Sequence, residues 1–223
     1  MILASEDTIK LLYSLDSATV FNAVVESMGG SQGGLELEGK GGVPLNYMGP
    51  EIRSVIPALG KSVGYAVTAE LTSNDPDSPS LPWEEHYTAL ENSPNPTIAI
   101  IKDVDSNPGR GACFGDGMAA KYSTLGVSGV IVEGSARDIA GITKVGMPLW
   151  ATGSVPGHGV LNLISVNKSI VVGSLRIHPG ELLIADLDGC TKIPLGVDPN
   201  KIANIAKEIQ IRELEGIKKI LES

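Results

Sequence analysis

Cysteine, aromatic residues and positive charge are all scarce in this chain, and each scarcity excludes something. Only Cys113 and Cys190 occur in 223 residues, too few for a disulfide framework and without the spacing of a zinc site. Phe, Trp and Tyr together make up 4%, which argues against an aromatic-packed β-sandwich. Lysine and arginine number 17 against 26 acidic residues, a net charge of −9. Sequence-independent nucleic-acid binding needs cations that displace phosphate counterions, so no nucleic-acid partner is expected. An acidic surface could instead meet a basic protein. No apolar run reaches the length of a membrane span. The first twelve residues lack the basic start and long apolar core of a secretory signal. The expectation is a cytoplasmic protein with no membrane partner.

What is present points to a folded α/β chain. Apolar residues make up 42% and charged residues 19%, and the 27 glycines suit many tight turns. At this length a sizeable core can be buried, and one domain over residues 1–223 is the better reading. Residues 6–28 are patterned as helix with a break near Ser14–Ser17; Asp16 or Ser17 can cap the second part, and Gly29 and Gly30 end it. Val20, Phe21, Val24 and Val25 line one of its faces. Residues 30–62 read as loop with short strands. "SVGYAVTAEL" (62–71) alternates and is β-branched, hence a strand. "SNDPDSPSLP" (73–82) is a loop, and "PWEEHYTALEN" (82–92) opens a helix with Pro82 near its first turn.

"PTIAIIKDVD" (96–105) reads as a strand buried on both faces. The loop "SNPGRGACFGD" (106–116) follows, then Met118, Tyr122 and Leu125 at helical spacing, then the buried strand "GVSGVIVEG" (126–134). Strand, loop, helix, strand is a parallel βαβ unit. A second, shorter α/β step runs from "RDIAGI" to "MPLWATG". Beyond about residue 165 come short β-rich pieces separated by Asn-Lys, Pro-Gly and Asp-Gly turns. Residues 198–221 form a helix whose Ile202, Ile205, Ile209, Leu214, Ile217 and Ile220 keep helical period, so this helix could pack on a neighbouring subunit.

The chemistry concentrates between Gly115 and Asp138. A loop that leaves a parallel strand and enters a helix is where α/β proteins bind ligands. Gly115 and Gly117 let the backbone approach a ligand, and the free amides at the helix start, with its dipole, favour an anion. The next strand would deliver Arg137 and Asp138 to the same end of the sheet. Arg137 offers a planar fork for a carboxylate. Asp138, helped by Asp116 directly or through water, could hold a hard divalent cation such as magnesium. The plainer alternative, which spacing alone favours, is that both aspartates cap helices while Arg137 makes a surface ion pair. Lys121 reads as a solvated helix residue. Cys113 has no evident histidine partner, and Asp186 and Asp188 read as turn residues. His86, His158 and His178 share no metal spacing, although His158, in a Gly-rich loop near Pro156, could approach a ligand.

The order Gly115-Asp116-x-Met118-Ala119, Gly126, Gly129, Gly134, Arg137-Asp138 resembles the RraA-like family. That family includes the 4-hydroxy-4-methyl-2-oxoglutarate/4-carboxy-4-hydroxy-2-oxoadipate aldolases and the regulators of ribonuclease E activity. The aldolases are marked by an Asp, twenty residues, then Arg-Asp; here Gly117 to Ala136 separate Asp116 from Arg137-Asp138. "LDSATVFNAV", "SVGYAVTAE", "GMPLWATGSVP" and "PGELLIADLDGCTKIP" extend the resemblance over most of the chain, while Gln32 to Leu59 and Asn74 to Pro82 are specific to it.

The resemblance implies an α/β/β/α arrangement with a central mixed sheet or small barrel, assembled as a homotrimer or homohexamer. It implies a divalent-metal-dependent lyase that releases pyruvate from a 2-oxo acid by aldol cleavage or by decarboxylating oxaloacetate. Asp138 would ligate Mg2+ or Mn2+, and Asp116 would act through metal-bound water. Arg137 would hold the 2-oxo acid end, and the amides of Gly115, Asp116, Gly117 and Met118 its carboxylate. A glutamate from a neighbouring subunit's C-terminal region, Glu208 or Glu213, would complete the site. The long stretch "DSPSLPWEEHY" (77–87) implies a substrate different from the named ones. The competing expectation is a non-catalytic regulator that binds a ribonuclease; such regulators typically lack the acid at position 116.

Overall fold

The structure is a computed structural model that describes residues 1–30 and 46–223. The stretch 31–45, part of the segment read as loop with short strands, lies outside the described residues.

Two helices open the chain, α1 (Glu6–Ser14) and α2 (Ser17–Ser27), each started by a side-chain cap. The Thr8 amide donates to Ser5 Oγ at 3.1 Å, and the Thr19 amide to Asp16 Oδ1 at 2.6 Å. Asp16, not Ser17, is therefore the cap of α2, and Gly29 follows in the left-handed region at φ 82°. The strands are β1 (Arg53–Ser54), β2 (Ser62–Thr72), β3 (Thr97–Asp103), β4 (Ala112–Phe114), β5 (Val127–Ala136) and β6 (Leu149–Ser154). Then come β7 (Asn162–Val166), β8 (Ile170–Val172), β9 (Leu175–Ile177), β10 (Leu182–Ala185) and β11 (Cys190–Ile193). Helices α3 (Trp83–Glu91), α4 (Asp116–Ser123) and α5 (Ile139–Val145) connect the parallel strands, and α6 (Pro199–Leu221) closes the chain. No described helix is long and apolar enough to cross a membrane.

Among the described residues nine strands form one mixed sheet, seven of them in the order β1-β6-β5-β3-β2-β10-β11 with β4 and β7 beside that path. Its centre, β6-β5-β3-β2, is parallel; β1, β10 and β11 run antiparallel at the flanks. Two strands share their neighbour's edge with another. β2 pairs with β10 over Ser62–Tyr65 and with β7 over Ala69–Thr72. β5 pairs with β3 over its first half and, past Gly134, with β4 at Ser135 and Ala136. The sheet curls into a half-barrel.

Alternation along the central strands divides the interior into three packed groups. Val67, Leu71, Ala99, Ile101, Val130 and Val132 face α3, α4 and α5. Val63, Tyr65, Leu182, Ile184 and Ile193 lie under α1, α2 and α6. The opposite face, with Ala66, Ile98, Ile100, Ile131 and Trp150, is filled by the β8–β9 hairpin. The Trp150 indole N–H donates to the Asp186 carbonyl at 2.7 Å, so the largest buried side chain keeps a partner.

Three expectations change in detail. The loop 106–116 contains β4, three buried residues too short to show a period, so the site-bearing loop leaves β4 and not β3. In α6 only the first half faces this chain's core: Ile202 and Ile209 are buried, whereas Leu214, Ile217 and Ile220 are exposed. Asp186 does more than make a turn, since it accepts from the Ser17 amide at 2.6 Å and Ser17 Oγ at 2.7 Å and so ties α2 to β10.

Candidate active site

The tips of β4 and β5 lie side by side, and the chain turns from each into a helix. The Arg137 amide donates to the Phe114 carbonyl at 2.9 Å, which fixes the two turns against each other. Glycine makes this approach possible. A Cβ on Gly134 would come within 3.1 Å of Asp103 Cβ and Cys113 Sγ, and one on Gly115 within 3.2 Å of Asp138 Oδ2. Beneath β4, Asp103 anchors the connecting loop. It accepts from Ser73 Oγ and the Gly109 amide, both at 2.7 Å, and the Ser135 hydroxyl donates to the Gly109 carbonyl at 2.7 Å. Asp105 accepts the amides of Asn107 and Asn74, which hold its carboxyl below the usual carboxylate range.

These turns enclose a cavity of about 210 Å3 lined by Gly115, Asp116, Gly117, Met118, Arg137 and Asp138. The six residues expected from a single chain are thus in one place. Phe114 and Ala112 from β4, with His158 and Leu161 from the loop after β6, form the remaining wall.

Neither aspartate is used as a helix cap. Asp116 is the first residue of α4, after Gly115, and Asp138 precedes α5 without a side-chain bond to its amides. The capping alternative therefore does not describe these side chains. Asp138 adopts the left-handed region at φ 56°, which Asp tolerates better than most residues. Its Oδ2 pairs with Arg137 Nε at 3.1 Å, both side chains being partly exposed. The Asp116 carboxylate lies directly over Gly141 of α5, where a Cβ would collide with it. The first turn of α4 closes when the Ala119 amide bonds the Gly115 carbonyl at 3.0 Å. The amides of Asp116, Gly117 and Met118 precede that bond and have no intrahelical acceptor, and all three residues line the cavity.

The donor set suits a hard cation. Two carboxylate residues, Asp116 and Asp138, line the cavity, and among the described residues no group of three or more His, Cys, Asp or Glu side chains forms a metal cluster. Magnesium and manganese accept one or two carboxylates and complete their shells with water and substrate; a structural zinc site needs four protein ligands. Asp138 and Asp116 fit the former.

Cys113, His86 and Lys121 fall away from the chemistry. Burial pushes the Cys113 thiol up, with the Asp103 carboxylate adding to it, so it stays a protonated packing residue. His86 is fully buried, with Nε2 at 2.7 Å from the Tyr122 hydroxyl. Lys121 is exposed and sits over the Tyr87 ring at 5.6 Å. Glu208 and Glu213 lie on α6, which packs with α1 and α2, and neither lines this chain's cavity. The stretch 77–87 does reach the site's wall: Trp83 Nε1 donates to the Leu161 carbonyl at 3.1 Å. Ala112, Phe114 and Leu161 were not anticipated. Ala112 and Phe114 could have been found from the apolar run directly before Gly115, whereas Leu161 depends on a distant pairing.

A half-barrel α/β protein with an acid-and-arginine cup at the strand tips is the class that fold and site define. Residues 38–191 match the RraA-like family, described as Aldolase/RraA, and the chain belongs to that family. A protein of Halalkalibacterium halodurans named "Putative 4-hydroxy-4-methyl-2-oxoglutarate aldolase" is 31% identical over 115 residues. That alignment covers 51% of this chain and 54% of the relative, about half the length of each. An uncharacterized protein of Methanocaldococcus jannaschii is 25% identical over 182 residues, 81% of both chains. Among solved structures, an uncharacterized protein from Pseudomonas syringae superposes with a TM-score of 0.76 at 20% identity, covering 100% of this chain and 92% of its own. Streptomyces coelicolor RraAS2, described as an unusual member of the RNase ES inhibitor RraA protein family, gives 0.71 at 19% identity over 99% and 100%. At these identities the structural likeness establishes the fold.

Proposed function

We propose that this protein is a divalent-metal-dependent lyase that cleaves a 2-oxo dicarboxylic acid, by retro-aldol reaction or decarboxylation, and releases pyruvate. The observation that carries the reading is the meeting of Asp116, Arg137, Asp138 and the α4 amides around one small cavity, with both carboxylates uncommitted to capping. The similarity to proteins named as aldolases supports it.

Asp138 would hold magnesium or manganese, with Asp116 contributing through water. The bound cation would supply Lewis acidity to the 2-oxo group. Arg137 stays charged at any working pH and presents a fork to the 2-oxo acid end, its direction fixed by Asp138. The amides of residues 116–118 hold the adjacent carboxylate, so the bond to be broken is presented in one orientation. Trp83 and the segment before it back the Leu161 wall, which makes that wall the place where substrate size is selected. Assembly as a homotrimer or homohexamer belongs to the same reading, supported by the exposed apolar stripe of α6.

The test follows pyruvate from oxaloacetate and from 4-hydroxy-4-methyl-2-oxoglutarate, with magnesium or with a chelator. Chelator-sensitive release is expected, reduced at least about 100-fold in Asp138→Asn and Arg137→Ala. Asp116→Gly is expected to fold and to lose most of the metal-dependent rate. Background rates in every sample would sink the lyase reading and favour a protein-binding regulator.

A further inference from the structure

The lyase reading leaves one task without a residue, the movement of the proton. In retro-aldol cleavage the O–H bond at C4 breaks and a carbonyl forms there. The electron pair of the C3–C4 bond passes into the enolate of pyruvate, and a proton is then added to C3. A single group that takes the first proton and returns it balances the reaction; oxaloacetate decarboxylation needs only the return.

Four ionisable side chains line the cavity: Asp116, Arg137, Asp138 and His158. Arg137 does not give up its proton. Asp138 is engaged by Arg137, and Asp116 lies against Gly141 of α5 and is given to the cation's water in the lyase reading. His158 remains, and its setting is specific. Its backbone pairs with Ala112 of β4 in a parallel bridge. The Ala112 amide donates to the Gly157 carbonyl at 2.9 Å, and the Gly159 amide to the Ala112 carbonyl at 3.2 Å. A Cβ on Gly159 would press on the Ser73 and Ala112 carbonyls, so glycine there lets the loop lie flat on β4. His158 Nδ1 contacts the carbonyl of Gly159. A carbonyl can only accept, so Nδ1 carries the hydrogen and the neutral ring keeps its lone pair on Nε2. Nε2 has no hydrogen-bond partner among the described residues.

We infer that His158 is the proton-carrying catalytic residue, with Nε2 taking the C4 hydroxyl proton and returning it to C3 of the pyruvate enolate. The inference rests on the lyase reading and adds a residue to it. His158→Asn is the informative variant, because its amide N–H can still donate to Gly159 while the Nε2 lone pair is gone.

The magnesium-loaded wild type, His158→Asn and His158→Ala are compared by pyruvate release, by exchange of the pyruvate C3 hydrogens in deuterium oxide followed by NMR, and by calorimetric binding of oxalate, a planar stand-in for the enolate. Release and exchange are expected to fall together by about 100-fold or more in His158→Asn, with oxalate affinity unchanged. Added imidazole is expected to restore His158→Ala in proportion to its concentration. Release and exchange within about twofold of wild type in His158→Asn, or loss of oxalate binding alongside the rate, would overturn the assignment. An inactive wild type would instead remove the lyase reading itself, a result recognisable before any variant is made.

Discussion

At the scale of single residues, the two glycines that begin the site do different work. A side chain at Gly115 would press on the Arg137–Asp138 pair, whereas one at Gly117 would meet open space. Gly115→Ala is therefore expected to fold while displacing that pair and lowering turnover. Gly117→Ala is expected to gain roughly 0.5–1 kcal/mol from helix propensity. If a substrate carboxylate seats on the α4 amides, the new methyl also intrudes on it and KM rises. Thermal melts and steady-state kinetics on the two variants separate these effects. The left-handed Asp138 sets a rule for choosing variants: asparagine keeps that backbone at little cost, while a branched residue would add strain to the loss of the carboxylate.

Among elements, the seating of one helix on another decides where the acid points. α5 offers Gly141 beneath Asp116, and no larger residue fits there without turning the carboxylate away. Gly141→Ala is expected to leave the melting temperature near wild type and to weaken magnesium binding, read by titration calorimetry. α3 is joined to α4 through His86 and Tyr122, inside a cluster with Trp83, Tyr87 and Phe114. Burial holds the His86 imidazole down to about 4 from its ordinary 6.5. It stays neutral in the folded chain while the unfolded chain takes up a proton as pH drops below that ordinary value. The stability it contributes is complete above about pH 6.5 and declines toward pH 4 at roughly 1.4 kcal/mol per unit. Between about pH 7.5 and about pH 5, urea titrations of wild type should show about 2 kcal/mol more loss than His86→Gln.

The elements also show what was legible from sequence. The strands 62–72 and 97–103, the helix break before Ser17 and the βαβ unit carry strong local periods, so they could be read directly. The meeting of Asp116 with Arg137-Asp138 followed from the parallel geometry of that unit. β4 is three residues long and has no period to read. The Gly-rich loop allows His158 to approach a ligand, but its bridge to Ala112 joins residues far apart in sequence, and no local pattern encodes it.

At the scale of the whole molecule, the outward half of α6 keeps a row of apolar side chains exposed. Leu214 is 60% exposed, Ile217 54% and Ile220 74%, an apolar face beyond the residues packed on α1 and α2. If copies of the chain cover it, Leu214→Glu with Ile217→Glu should yield a smaller species by light scattering while circular dichroism stays unchanged. An unaltered mass would place the contact elsewhere.

β2 passes beneath both helical layers, with Tyr65 under one and Val67 under the other, only two positions apart. The stretch matched to the family, 38–191, leaves out α1, α2 and α6, which together roof Val63, Leu182 and Ile184. A protein trimmed to that stretch would bare a greasy slope on its principal strand and clump. The boundaries worth cloning here are drawn by what must stay dry, not by where the likeness to relatives ends.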